Sequence, residues 1–152
     1  MARNFFEANA SSVALVAATA KTILTVTASA NVPLAIWEWQ ITLDGATAAA
    51  VPVTVEIGRP TTAGTSSAYT PRKLDPGRAE TIQATAAITF TVEPTMVAAD
   101  LITLVYVPAY NGQDWRALPI NSPIIIPGGG RFALRCTAPA NVNVSARIRA
   151  EE

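Results

Sequence analysis

The chain has 152 residues, half of them apolar, with eleven basic and eleven acidic side chains and no histidine. That length suits one domain able to bury roughly 68–70% of its unfolded surface, and the cancelled charge leaves no basic field to hold nucleic acid or an anionic membrane. Without histidine there is no Ser-His-Asp or Cys-His pair, and cupin-type metal sites lose their usual ligands. The chain therefore reads as a non-enzyme, with no cofactor and no metal expected. Charged residues are 14% of the chain, against roughly 25% in ordinary globular domains. Either other subunits cover part of the surface, or the excess is Ala and Val left exposed at little cost. The single cysteine, Cys136, rules out an internal disulfide and reads as a small core residue, in keeping with synthesis in a reducing cytoplasm.

Residues 1–12 follow neither helical nor strand periodicity, with Arg3, Asn4, Glu7 and Asn9 set around Phe5 and Phe6. They read as an N-terminal arm. Arg3, Phe5 and Phe6 become candidate partner contacts, the two rings either stapling the arm to its own domain or docking on a neighbour. Loss of such an arm is expected to weaken assembly more than folding. The triplets Asn9-Ala10-Ser11 and Asn143-Val144-Ser145 match glycosylation acceptors by chance, since no secretion signal accompanies them. The apolar run Val13 to Ala20 is preceded by Glu7 and followed by Lys21, so it reads as strand rather than leader. No run approaches the roughly 18 apolar residues of a membrane span.

From residue 13 to 152 a single β-sandwich domain is expected. Val13 to Ala17 and Thr22 to Ala28 are rich in β-branched residues and form two short strands, and Asn31 to Pro33 break the run. In Leu34 to Leu43, Trp37, Trp39, Ile41 and Leu43 share one face while Glu38, Gln40 and Thr42 share the other, the pattern of a central strand. Tryptophans at i and i+2 could line a sugar platform, but the face continues into Ile41 and Leu43 and so reads as core. Asp44-Gly45 marks a turn, after which Val51, Val53, Val55 and Ile57 resume the alternation. Glu38 and Glu56 form the best available carboxylate pair for acid-base chemistry, which needs two such groups about 5–9.5 Å apart across a cleft. Ordinary surface carboxylates are the simpler reading.

Between residues 60 and 80 the alternation disappears and a long loop is expected. It holds the main charge cluster, in which Tyr69, Arg72, Lys73 and Arg78 are candidate partner contacts; the same cluster also fits a solvated loop. Ala84 to Val92 returns to strand. Leu101 to Val107 is apolar on both sides, with Ile102, Leu104 and Tyr106 on one and Leu101, Val105 and Val107 on the other, and should be covered on both faces by core or by a subunit. In the next loop Tyr110, Asp114 and Trp115 form an alternative recognition tip, or fold over a sheet edge. Pro119 and Pro123 break the run from Leu118 to Ile126 into edge segments.

Pro127-Gly128-Gly129-Gly130 is a flexible corner and not a phosphate loop, because it lacks the Walker lysine and a following helix. Beyond it Phe132, Leu134 and Cys136 alternate with Arg131, Ala133, Arg135 and Thr137. After Ala138-Pro139-Ala140-Asn141, Val142, Val144, Ala146 and Ile148 alternate with Asn143, Ser145, Arg147 and Arg149. The spacing of two predicts a closing hairpin with one buried face. Eight or nine strands, with no amphipathic helix and no repeat, point to an all-β antiparallel β-sandwich of jelly-roll type with about eight strands. An immunoglobulin-like sandwich is the runner-up.

Taken together, the polar-aromatic start, the Trp-rich strand of the second quarter, the corner Ile124-Ile125-Ile126-Pro127-Gly128-Gly129-Gly130-Arg131-Phe132 and the terminal strands resemble the small jelly-roll head decoration, or cement, proteins of tailed bacteriophages. The resemblance is of pattern and composition over most of the chain. It implies a structural virion protein, made in the host cytoplasm, that sits as a homotrimer on the capsid surface, contacts the major capsid protein and stabilises the head without a cofactor. The same trimeric β-fold would also suit the receptor- or glycan-binding head of a tail fibre or spike.

Overall fold

Residues that alternate at a spacing of two send every second side chain to one interior, and here that interior is shared by two six-stranded antiparallel sheets. The computed structural model describes residues 4–46, 51–119 and 121–152. Its strands are β1 (Phe5–Leu15), β2 (Ala20–Thr27), β3 (Leu34–Leu43), β4 (Val53–Gly58), β5 (Thr65–Tyr69) and β6 (Arg72–Lys73). There follow β7 (Thr85–Val92), β8 (Leu101–Val107), β9 (Gln113–Ala117), β10 (Ile124–Ile126), β11 (Arg131–Thr137) and β12 (Val142–Glu151). One sheet has the order β10-β3-β12-β1-β6, with β9 also on β3; the other has the order β5-β7-β2-β11-β4-β8.

Among the described residues no strand pairs with the next strand in sequence. Instead β1 pairs with β12, β2 with β11, β3 with β9 and β10, and β4 with β8. A chain doubled back as one long antiparallel ribbon and then rolled into two sheets gives this nesting, which is a jelly roll. An immunoglobulin-like sandwich instead pairs sequence neighbours such as F and G. The expected eight strands correspond to the nested set. The total is higher because β5, β6 and β7 are inserted between β4 and β8, and because β9 and β10 share one position along β3.

The closing hairpin is a correction. The faces are as the alternation requires, with Phe132, Leu134, Cys136, Val144, Ala146 and Ile148 buried. The partners are not, because β11 pairs with β2 and β4 while β12 pairs with β1 and β3. Residues 138–141 thus carry the chain from one sheet to the other. Alternation decides which way a side chain points, and has no bearing on which strand lies alongside.

The arm is a second correction. Residues 5–15 form β1, an internal strand between β12 and β6. Phe6 is 0% exposed, and Ala8 and Ala10 are buried beside it. The alternation is present in the sequence, but two of its three inward residues are alanines, which carry a weak apolar signal. A β-bulge between Ala10 and Val13, with Ser12 at φ 52°, then shifts the phase before Leu15 returns to the core.

The loop expected at 60–80 is only partly a loop, since it contains the edge strands β5 and β6, on different sheets. In the corner before β11, the Gly130 N–H donates to the Pro127 carbonyl at 2.8 Å and Gly129 takes φ 74°, a turn conformation that favours glycine.

The outer face of the β1-β12-β3 set is tied by charge. Glu7, Arg149 and Glu38 lie opposite one another in register. Arg149 Nε meets Glu7 Oε2 at 2.9 Å and Arg147 Nη2 meets Glu38 Oε1 at 2.6 Å. Inside, Trp39 and Phe132 bring the two sheets together, with ring centroids 6.0 Å apart at 48°. Phe6→Ala is expected to destabilise the fold by about 3–5 kcal/mol, as large-to-small changes in a packed core do. Phe5→Ala, on the exposed side of the same strand, should cost less than about 1 kcal/mol. Urea denaturation of the two variants checks both.

Candidate functional site

The carboxylate pair comes apart in three dimensions. Glu38 lies on the outer face of one sheet and Glu56 on the outer face of the other, with the whole core between them. Each is held by arginine. Arg135 Nε sits 2.6 Å from Glu56 Oε2 and also donates from Nη1 to the Met96 carbonyl, while Glu38 is met by both Arg147 and Arg149. On opposite outer faces the two cannot flank one scissile bond as a glycosidase pair does. Among the described residues no group of three or more Cys, Asp or Glu side chains is placed to hold a metal ion.

The expected contact residues of the first half serve mainly to close the chain on itself. Arg3 lies outside the described residues. Phe6 belongs to the core, and Phe5 is exposed, its carbonyl accepting the Leu74 N–H at 2.9 Å. Tyr69 is half-buried and donates its O–H to Asn9 Oδ1 at 3.0 Å. Arg72 and Lys73 form β6 opposite Glu7 and Phe6. Lys73 Nζ donates to the Arg78 carbonyl at 2.9 Å, and Arg78 pairs with Asp75 at 3.1 Å. Phe5, Arg72 and Arg78 remain exposed on this edge.

The recognition tip does not assemble as one site. Asp114 and Trp115 are successive residues of β9 and so point to opposite faces. Trp115 is 61% exposed, whereas Asp114 is buried and accepts from Arg116 Nε at 3.0 Å. Tyr110 is exposed in the preceding loop, where it bridges to Gly45.

Two surfaces remain. The first is the outer face of β8, the last strand of its sheet. Its inward side packs through Val107 and Val105, but Ile102, Leu104 and Tyr106 stand outward, Tyr106 at 64% exposure. Only one of the two faces expected to be covered is covered within the chain. Across the sheet the row gives way to charge, since Leu104 lies beside Glu56, which faces Arg135.

The second is a cleft of about 940 Å³ at one end of the sandwich. Its wall is apolar, through Val32, Pro33, Pro123 and Ile125, and Trp37 adds an aromatic side. Trp37 reaches it because a bulge opposite Arg149 and Ala150 takes it out of the alternation, and its indole N–H donates to Glu151 Oε2 at 2.9 Å. Glu152 Oε1 and Oε2 accept the Gln83 and Ala84 N–H groups at 2.7 and 2.8 Å. Sequence reasoning missed this site because five separate segments build it and no local motif marks it. Compared with known proteins, the chain matches no family model, no curated protein and no solved structure.

Cys136 is buried on the inner face of β11. Burial pushes its thiol up from 9.0 to about 12, and the Glu56 carboxylate adds to the shift. The folded protein should resist iodoacetamide at pH 8 and react once unfolded in urea. Below the unfolded value the thiol is protonated in both states. Above it only the unfolded chain loses the proton, so stability falls as pH rises from 9.0 to about 12. Relative to Cys136→Ala, the wild type should lose about 1.4 kcal/mol per pH unit in that window, measured by urea denaturation across the range.

Proposed function

We propose that this is a structural virion protein that binds the outer surface of a phage capsid as an oligomer, a homotrimer as the resemblance to cement proteins implies, and stabilises the head. The observation that carries the reading is the uncovered row of Ile102, Leu104 and Tyr106 on the outer face of an edge strand. Such a row of large apolar side chains belongs against protein. The virion assignment draws on the resemblance to cement proteins, and the nested jelly roll agrees with it. The major capsid protein and further copies of this chain are the partners, and the site of action is the capsid surface.

The physics is multivalent clamping. Each apolar row is small, and a closed ring of copies engages a symmetric lattice through several rows at once. The summed avidity can exceed a single contact by roughly 10²–10⁴. No bond is made or broken, and the ion-paired carboxylates act as structural staples.

The test combines light scattering with sedimentation of isolated heads of the phage that encodes the chain. The wild type is expected at three times the chain mass and on the heads. Leu104→Lys, which sets an ammonium beside the Glu56 carboxylate, should reduce head binding by at least about tenfold while changing folding stability by no more than about 1 kcal/mol. A monomer that leaves the heads bare would sink the reading. Glycan binding that depends on Trp115 would move the protein to the receptor-binding head of a fibre.

A further inference from the structure

We propose that Asn111 is a site of spontaneous modification, at which the Gly112 backbone nitrogen attacks the asparagine side chain and converts the loop between β8 and β9 to aspartyl and isoaspartyl forms. The proposal goes beyond the assembly reading and does not rest on it. Asparagine is among the thermolabile residue types, and the residue after it governs the reaction, because a Cβ there crowds the attacking nitrogen. Glycine has no Cβ. Asn111 is the one asparagine of seven that glycine follows. It is exposed at φ 47°, and its side chain makes no hydrogen bond among the described residues, so its amide is free to turn onto the backbone.

The step balances with water as the only co-reactant. The Gly112 nitrogen gives up its proton and bonds to Asn111 Cγ, the Cγ–Nδ2 bond breaks, and the proton leaves with the nitrogen as ammonia. The product is a five-membered succinimide, with nothing oxidised or reduced. Water then opens the ring at one of its two carbonyls. Opening at Cγ restores the ordinary backbone and leaves an aspartyl side chain. Opening at the main-chain carbonyl routes the backbone through Cγ and leaves an isoaspartyl residue, one carbon longer.

The fold discriminates between two pairs that can form such a ring. Asp44-Gly45 and Asn111-Gly112 lie at the same end of the sandwich, where Gly45 bridges to Tyr110. The first pair is locked. The Gly45 N–H donates to the Ala109 carbonyl at 3.1 Å, and the Asp44 carboxylate, already the poorer electrophile, accepts the Asn143 backbone N–H and side-chain amide at 2.9 Å each. No such hold is placed on the Asn111 side chain. The fold also keeps the susceptible pair in being, since a Cβ at Gly112 would overlap the Pro108 carbonyl oxygen. Modification sets a carboxylate beside the exposed Tyr110. The isoaspartyl form displaces Gly112, whose carbonyl accepts the N–H of Leu43 at the end of β3 at 2.8 Å.

The test ages the full chain in mildly alkaline buffer, native and in guanidinium chloride, and maps its peptides by mass spectrometry together with enzymatic methylation of isoaspartyl groups. In the native chain the peptide carrying Asn111 is expected to exchange an amine for a hydroxyl in mass, and to become a methyl acceptor, at least about tenfold faster than any peptide carrying another asparagine. Asn111→Gly, which suits a positive φ, should abolish methyl acceptance in the native chain with the circular dichroism spectrum retained. Asp44 should yield isoaspartate only in guanidinium chloride, where its hydrogen bonds are lost. Conversion of Asn111 no faster than that of the other asparagines, or isoaspartate at Asp44 of the native chain forming as fast as at Asn111, would overturn the proposal. Head binding is not read in this experiment, so its outcome and that of the assembly test are independent.

Discussion

The pairing of the first strand with the last holds the rest of the molecule in place. β12 is flanked by β1 and β3 over most of its length, and its inward residues Val144, Ala146, Ile148 and Ala150 are buried. Its outward residues Arg147 and Arg149 are ion-paired to Glu7 and Glu38 on the two flanking strands. Once β1 and β12 are joined, β2 and β11 are brought together across the core, and the nesting continues outward to β4 and β8. Nearly all of these contacts are far apart in sequence. The loop-closure entropy must be met before most of the apolar burial is gained.

The same arrangement accounts for how a chain with few charges meets water. On the outer faces Glu7, Glu38 and Glu56 each stand beside an arginine, as Glu56 does beside Arg135 and Glu38 beside Arg147. Half-buried pairs of this kind contribute more to strand register than to net stability. The outer side of β8 has no such cover, and Leu104 stands next to the Glu56 pair rather than over another carboxylate. Three exposed large apolar side chains thus stand in one row on this edge strand, while others, such as Trp115 and Ile125, lie elsewhere on the surface. The cleft is the opposite case, where apolar wall and acid meet at a place the sheets do not close.

The candidate surfaces differ in how far the sequence announces them. The apolar row of β8 is legible from Leu101 to Val107 alone, because both alternating sets are apolar there. The cleft is not. Trp37 reads as a core residue by alternation, and only the bulge opposite Arg149 and Ala150 turns it aside. Asn4, Glu80 and Glu152 are polar residues in unremarkable contexts, brought together by chain crossings. Tyr110, Asp114 and Trp115 mislead in the other direction. Proximity in sequence looks like a site, yet the pleat of β9 separates Asp114 from Trp115.

By itself the sequence determined the all-β class, the extent of strands such as Leu34–Leu43 and Leu101–Val107, and the facing of Phe132, Leu134, Cys136 and Ile148. Those properties follow from side-chain period, which is local and readable at a spacing of two. Only the tertiary structure decided that residues 5–15 are an internal strand, that β11 and β12 lie in different sheets, that Glu38 and Glu56 sit on opposite outer faces, and that a cleft forms at one end. Each of these depends on which backbone N–H groups meet which carbonyls. Every residue but proline carries the same donor and acceptor, so the choice of partner is made by the packing of the whole chain and leaves little trace in any one segment.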